Sequence, residues 1–216
     1  MSNKSAEITT ETPLRYFHRL SSQQTDSQST ELFNGDADFG LVIKEAPLRT
    51  HLNLRGNPQD PSFGAGIKAV LGIALPTEPG SYHCNQQHSL YWLGPDEWVL
   101  VSESPAAELE AELRNLLSGH IAIVDISGGQ TLINLRGAEG PLQTVLKKSS
   151  VYDFAAWSPA EKNAGRCAQT TFAKATALLS NQPDGSFNLI LRRSFADYIA
   201  RWLLDAGREF GCRIEG

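Results

Sequence analysis

Two adjacent carboxylates, Asp96 and Glu97 in the stretch LGPDEWVLV, are the first residue types here that suggest acid–base chemistry. A general acid and base must converge on one substrate atom. Here the turn residues Gly94-Pro95-Asp96 lead into Trp98-Val99-Leu100-Val101, and along a strand successive side chains face opposite ways. The spacing therefore predicts a hairpin with a polar tip, anchored by Trp92 and Trp98, rather than a catalytic couple.

His83-Cys84 with His88 has the residue types of a metal site. On a strand His83 and Cys84 diverge, His88 lies two pleats from Cys84, and no second cluster supplies the further ligands that tetrahedral zinc needs. These residues are expected to form a half-buried strand, with no metal site. No GxSxG elbow occurs, so nucleophilic catalysis rests on the cysteines alone, and Cys167 reads as a core thiol. The glycine pairs Gly64/Gly66 and Gly128/Gly129 match neither GxxxxGK[ST] nor GxGxxG, so no phosphate loop is expected.

Two further places keep two readings each. Asp125 in DISGGQT can hydrogen-bond its own backbone turn, or it can form a carboxylate or backbone N–H nest for a polar ligand at a junction. Arg192-Arg193 precedes a helix start, where cations are mildly disfavoured. They are either a solvated strand end or a meeting point for acids on a partner.

The elements that must position these residues form a repeated pattern. LNLRG at 52–56 returns as INLRG at 133–137, an offset of 134 − 53 = 81. WVLV at 98–101 has the counterpart FNLI at 187–190, an offset of 187 − 98 = 89. Helices are predicted over 62–72 and 140–148, and after each second strand over 105–117 and 195–206. Ser104 and Ser194 are the expected caps, Gly119 and Gly207 the expected stops, and Phe195, Tyr198, Ile199, Trp202 and Leu203 form an apolar stripe. Strands are expected at 81–92 and 97–102, and again at 167–179 and 187–191. Each half thus reads βαββαβ, a ferredoxin-like unit, and the whole is an α+β fold of two such halves about a pseudo-two-fold. The division is a polar N-terminal extension at 1–40, a first half at 41–127 and a second half at 128–216.

With 216 residues and 41% hydrophobic content the chain can bury a sizeable core. Its net charge of −5 disfavours a nucleic-acid partner. Three widely spaced cysteines without a CxxC point to reduced thiols and a cytoplasmic location. The polar start lacks a signal-type apolar stretch and no 18-residue apolar run occurs, so neither export nor membrane insertion is expected. Within the extension only short apolar islands occur, and Tyr16, Phe17 and Leu20 share a helical face that could dock here or on a neighbour.

Four stretches together resemble the gamma subunit family of heterotetrameric sarcosine oxidases: LGPDEWVLV (93–101), VDISGGQTLINLRG (124–137), CAQTTFAKATALL (167–179) and RRSFADYIARWLLDAG (192–207). The resemblance implies a fold similar to the folate-binding part of aminomethyltransferases. It also implies a complex that demethylates sarcosine to glycine, passes the one-carbon unit to tetrahydrofolate or releases formaldehyde, and forms hydrogen peroxide. FAD, FMN, NAD, tetrahydrofolate and zinc are expected in the alpha, beta and delta partners, and no cofactor or catalytic residue in this chain. A non-catalytic subunit works through interfaces, for which Tyr16, Phe17, Trp157, Arg192 and Arg193 are the candidates, each otherwise ordinary surface or core. The rival reading is a stand-alone folate-binding or aminomethyltransferase-like protein. It would show a pocket between the halves with a carboxylate, Asp125 first and Glu97 second. A third is an interaction module for another oxidoreductase.

Overall fold

Alternation along the strands sets the layers. In the strand Glu97–Ser102, Trp98 and Leu100 enter one apolar cluster while Val99 and Val101 enter another on the opposite face. The strand Phe187–Arg192 repeats this, with Phe187, Leu189 and Leu191 on one side and Ile190 on the other. Each sheet is therefore apolar on both faces. One face carries helices, and the other packs against the second sheet, giving a helix–sheet–sheet–helix order.

The computed structural model describes residues 11–16 and 40–215. The first half runs β2 (Thr50–Arg55), α1 (Pro61–Leu71), β3 (Ser81–Cys84), β4 (His88–Gly94), β5 (Glu97–Ser102), α2 (Ala106–Leu116) and β6 (Ala122–Asp125), preceded by β1 (Leu41–Glu45). The second runs β7 (Gln130–Gly137), α3 (Glu139–Ser149), β8 (Ala164–Phe172), β9 (Ala175–Asn181), β10 (Phe187–Arg192), α4 (Ala196–Ala206) and β11 (Cys212–Glu215). The strand order is β11-β1-β7-β10-β9-β8-β3-β4-β5-β2-β6.

Both offsets read from the sequence reappear in the register. β2 pairs Leu54 with Trp98, and β7 pairs Leu135 with Phe187. The mixed α+β architecture with two similar runs of elements is therefore present, with three departures from the expected detail.

The expected strand over 81–92 is two strands, because the Asn85 side chain accepts the N–H groups of Gln87 and His88 at 2.9 and 2.8 Å and folds a turn there. That over 167–179 is also two, separated at Ala173, whose φ of 52° is left-handed. Each half is strand, helix, three strands, helix, strand. In addition, β1 lies between β7 and β11, antiparallel to the first and parallel to the second, so it joins the second half's sheet although it precedes the first half in sequence.

The helix ends are partly as expected. Asp60 caps α1 by accepting the Ser62 N–H at 2.9 Å, Pro61 opens the helix and Gly72 closes it in the left-handed region. Ser104 and Ser194 do not cap. Pro105 occupies the cap position of α2 without a side-chain bond, and a 3-10 turn at Arg193–Phe195 takes up Ser194 before α4 begins. That turn also swings Phe195 out of the expected stripe, to 43% exposure.

The sheets are joined through β3 and β8, where Tyr82 pairs with Gly165. Tyr82 stacks on Tyr91 with ring centroids 5.1 Å apart and donates its hydroxyl to the Asn181 carbonyl at 2.6 Å. A Cβ on Gly165 would lie 2.5 Å from the Tyr82 ring, so the close crossing requires glycine. At the other side of the second half, the short segment 11–16 docks by burying Leu14 in the helix-side core. The Leu14 N–H donates to the buried Glu45 carboxylate, 3.0 Å from its nearer oxygen, and Thr131 donates to the same group at 3.1 Å.

Candidate functional site

The space between the two sheets opens at both ends. One opening is a cleft of about 630 Å³, floored by Val99, Leu178 and Ile190 and rimmed by Asn53, Glu97, Gln130 and Arg192 among others. Its size is that of a small-molecule site, with an apolar floor and a largely polar rim to which Gln169 and Thr176 also contribute. The other opening, about 260 Å³, is bordered by Arg49, His88, Ser102 and Glu103.

Glu97 reaches the large cleft because β5 begins at it, with its side chain on the same face as Val99. One oxygen accepts from the Asn53 amide at 2.8 Å. Asp96 is exposed in the turn and pairs with Arg55 at 3.1 Å, and the second Glu97 oxygen lies 3.6 Å from the same guanidinium nitrogen. The two acids leave the strand on different sides but meet at this cation, which holds them both as ion-paired carboxylates, and Trp98 anchors the tip with its indole N–H on the Pro76 carbonyl at 2.8 Å. Trp92 is half-buried against the same core.

Asp125 lies outside both openings and is exposed. It accepts the Ser127 N–H at 2.9 Å and the Ser127 hydroxyl, the local turn bonding that was one of its two readings. Ser127 in turn accepts the His51 N–H at 2.9 Å. His51 was not singled out in the sequence. It is buried in the inter-sheet space, its Nδ1 faces the Arg49 carbonyl at 3.1 Å, and its Nε2 has no partner. Burial lowers its pKa against the pull of the Arg49 carbonyl and the Asp125 charge.

The remaining candidates scatter. Arg192 stands at the rim of the large cleft, opposite Gln130 across the β10–β7 pair. Arg193 donates to the Glu11 carbonyl at 3.1 Å and so helps hold the N-terminal segment. Tyr16 is 61% exposed on that segment, and Phe17 lies outside the described residues. Trp157 is buried against Phe154 and Phe187, with the Arg166 guanidinium over its ring at 5.5 Å. No single site collects them.

The cysteine and histidine constellations also separate. Burial pushes the Cys167 thiol up to about 12, and its sulfur donates to the Ser81 carbonyl at 3.1 Å, so it is a protonated core group between the sheets. His83 bonds the Ala74 carbonyl at 2.8 Å, while His88 is buried against the Ser102 hydroxyl at 2.9 Å. Among the described residues no three His, Cys, Asp or Glu side chains gather as a metal site. Nor is any helix among them long and apolar enough to cross a membrane.

These features define a class first. The fold matches glycine cleavage system aminomethyltransferase T from Bartonella henselae with a TM-score of 0.55, at 14% identity over 82% of this chain and 48% of that one. It also matches a chain of the heterotetrameric sarcosine oxidase from Corynebacterium sp. U-96, in complex with pyrrole 2-carboxylate. That TM-score is 0.75, at 24% identity over 94% of this chain and 96% of the other. In sequence, residues 55–209 match the sarcosine oxidase, gamma subunit family. The sarcosine oxidase gamma subunits of Corynebacterium sp. strains U-96 and P-1 are 29% and 31% identical over 79% of this chain and 80% and 81% of their own lengths. The chain belongs to the sarcosine oxidase gamma subunit family.

Proposed function

We propose that this chain is a non-catalytic gamma subunit of a heterotetrameric sarcosine oxidase, supporting a complex that demethylates sarcosine to glycine with transfer of the one-carbon unit to tetrahydrofolate and formation of hydrogen peroxide. The observation that carries this reading is the family match, together with a fold that covers nearly all of a chain of such a heterotetramer. Alpha, beta and delta subunits would hold the FAD, FMN, NAD, tetrahydrofolate and zinc, and the assembly would be cytoplasmic. Residues 41–127 and 128–216 would be two similar halves of one unit, each with a third strand between its helices and with Leu41–Glu45 lent to the sheet of the second, and 1–40 an extension. The contribution of the chain is surface, on the scale of roughly 2,000 Å² or more buried against partners. Tyr16 on the docked segment is its most exposed aromatic candidate. Trp157, being buried, would serve by shaping the core beneath an interface.

The test is to express the chain with and without its partner subunits and to measure sarcosine-dependent peroxide and particle mass. Turnover is expected only from the assembled particle. Peroxide formed by the isolated chain, or full activity of partners purified without it, overturns the proposal. The rival folate-binding reading draws on the large cleft, where Glu97 and not Asp125 is the available carboxylate. Saturable micromolar uptake of reduced folate by the isolated chain would establish that rival.

A further inference from the structure

The two openings of the inter-sheet space are built from equivalent positions. The offset of 89 carries His88, Ser89, Val101 and Ser102 of the small opening onto Ala177, Leu178, Ile190 and Leu191 of the large one. With the offset of 81 for β2 and β7, Arg49 corresponds to Gln130 and Glu103 to Arg192. At the small opening Arg49 forms an ion pair with Glu103. At the large opening the residue facing Arg192 is Gln130, which has no charge to offer. Among the described residues Arg192 has no ion pair.

The opposite wall of the large cleft is also altered. Asn53 donates to Glu97, while its equivalent Asn134 donates to Ser186 at 3.0 Å. A carboxylate stands in the first half where the second has a hydroxyl. The second Glu97 oxygen is 3.6 Å from Arg55, whose shorter bond goes to Asp96. One cleft thus holds, across an apolar floor, the Glu97 carboxylate from one half, shared with Arg55, and an Arg192 guanidinium from the other that has no ion pair among the described residues, while at the equivalent opening Arg49 and Glu103 neutralise each other. A charge kept without a partner beside an apolar cavity is suited to a partner from outside the chain.

We propose that the large cleft is a binding site for a small zwitterion with a flat apolar body. Its carboxylate lies against Arg192, its ammonium or N–H donors against Glu97, and its ring on Val99, Leu178 and Ile190. Planar guanidinium recognition of a carboxylate supplies the directional end, and burial of the ring supplies area. All of the lining residues named belong to this chain, so the isolated chain can be tested directly and separately from its assembly.

The probe is 4-(aminomethyl)benzoate, titrated calorimetrically into the purified full-length chain, with benzoate and benzylamine as single-charge comparators. One saturable site is expected for the zwitterion. Gln130→Glu, which recreates at this opening the pair found at the other, and Arg192→Gln should each weaken the zwitterion and benzoate by about tenfold, the scale of one charge-assisted hydrogen bond. Both should leave benzylamine unchanged, whereas Glu97→Gln should weaken benzylamine and the zwitterion but not benzoate. Arg49→Gln, at the small opening, should change none of them. Absence of saturable uptake overturns the proposal, as does affinity within twofold of the parent in both Gln130→Glu and Arg192→Gln. An equal loss in Arg49→Gln overturns it too. Uptake of the zwitterion together with indifference to reduced folate separates this proposal from the folate reading.

Discussion

At its small opening the inter-sheet space is flanked by the Arg49–Glu103 ion pair, with His88 and Ser102 hydrogen-bonded beside it. At the large opening the equivalent places are held by Gln130, Arg192, Ala177 and Leu191. The strands beneath are alike in register, down to Leu54 against Trp98 and Leu135 against Phe187. What differs is a handful of side chains at strand ends. Apolar alternation holds the frame, and these end positions, which contribute little to the core, are free to be paired and closed or unpaired and open.

The largest effects should come from breaking what the halves share. Trp98→Ala and Phe187→Ala remove equivalent buried rings from the two helix-side cores, and each should cost about 3–5 kcal/mol, measured by urea denaturation. A loss confined to one of them would mean that the halves are not comparably packed. Next, Gly165→Ala forces a methyl to within 2.5 Å of the Tyr82 ring and 2.8 Å of the Asn181 side-chain oxygen. It should cost about 1–3 kcal/mol by overpacking the crossing of the two sheets.

The halves should also differ in acid. His51 and His88 of the first half correspond to Leu132 and Ala177 of the second, so only the first half titrates at these places. Burial lowers the pKa of both histidines, so the unfolded chain takes up protons first as pH falls through the ordinary value near 6.5. The stability they contribute is present above that pH and is lost below it. His51→Leu should flatten the decline of the denaturation midpoint between pH 7 and 5, by at most about 1.4 kcal/mol per pH unit. An unchanged slope would show that the imidazole takes up protons equally in the folded and unfolded chains, so that burial does not shift it. Smallest of all, Arg49→Gln should cost only about 0.2–1 kcal/mol, because Arg49–Glu103 is a partly exposed pair, and Arg192→Gln should leave the melting temperature where it was. If Arg192→Gln is the more destabilising of the two, the contrast between the openings fails.

The offsets of 81 and 89 were legible because apolar alternation and a terminal glycine survive in both halves, and such patterns are local. Two turns were not. Asn85 and Ala173 break long apolar runs through a side-chain bond and a left-handed backbone respectively, neither of which periodicity registers. The caps at Ser104 and Ser194 failed for a related reason, since Pro105 and a 3-10 turn take over the first position. β1 was hidden within an apolar island at the edge of a polar stretch, and its place beside β7 and β11 is entirely long-range. For the cleft, sequence reasoning singled out Arg192 for its position before a helix. What sets it apart is Gln130, which stands 62 residues earlier, 192 − 130, and faces it only through strand pairing. Asp125 drew notice by its Ser-Gly-Gly context and is occupied by that same turn.

The pairing of β1 with β11 also bears on how the chain is made. Strands β2 to β6 and their helices all lie within residues 50–125, so the first sheet has every one of its own pieces once that stretch has left the ribosome. The second sheet cannot close until Cys212–Glu215 arrives to meet Leu41–Glu45, across a separation of 212 − 41 = 171 residues. During vectorial synthesis Leu41–Glu45 therefore waits for its first neighbour until β7 emerges at residues 130–137, and keeps one edge unpaired until β11 follows. A nascent chain stalled before residue 212 should be the species that chaperones hold.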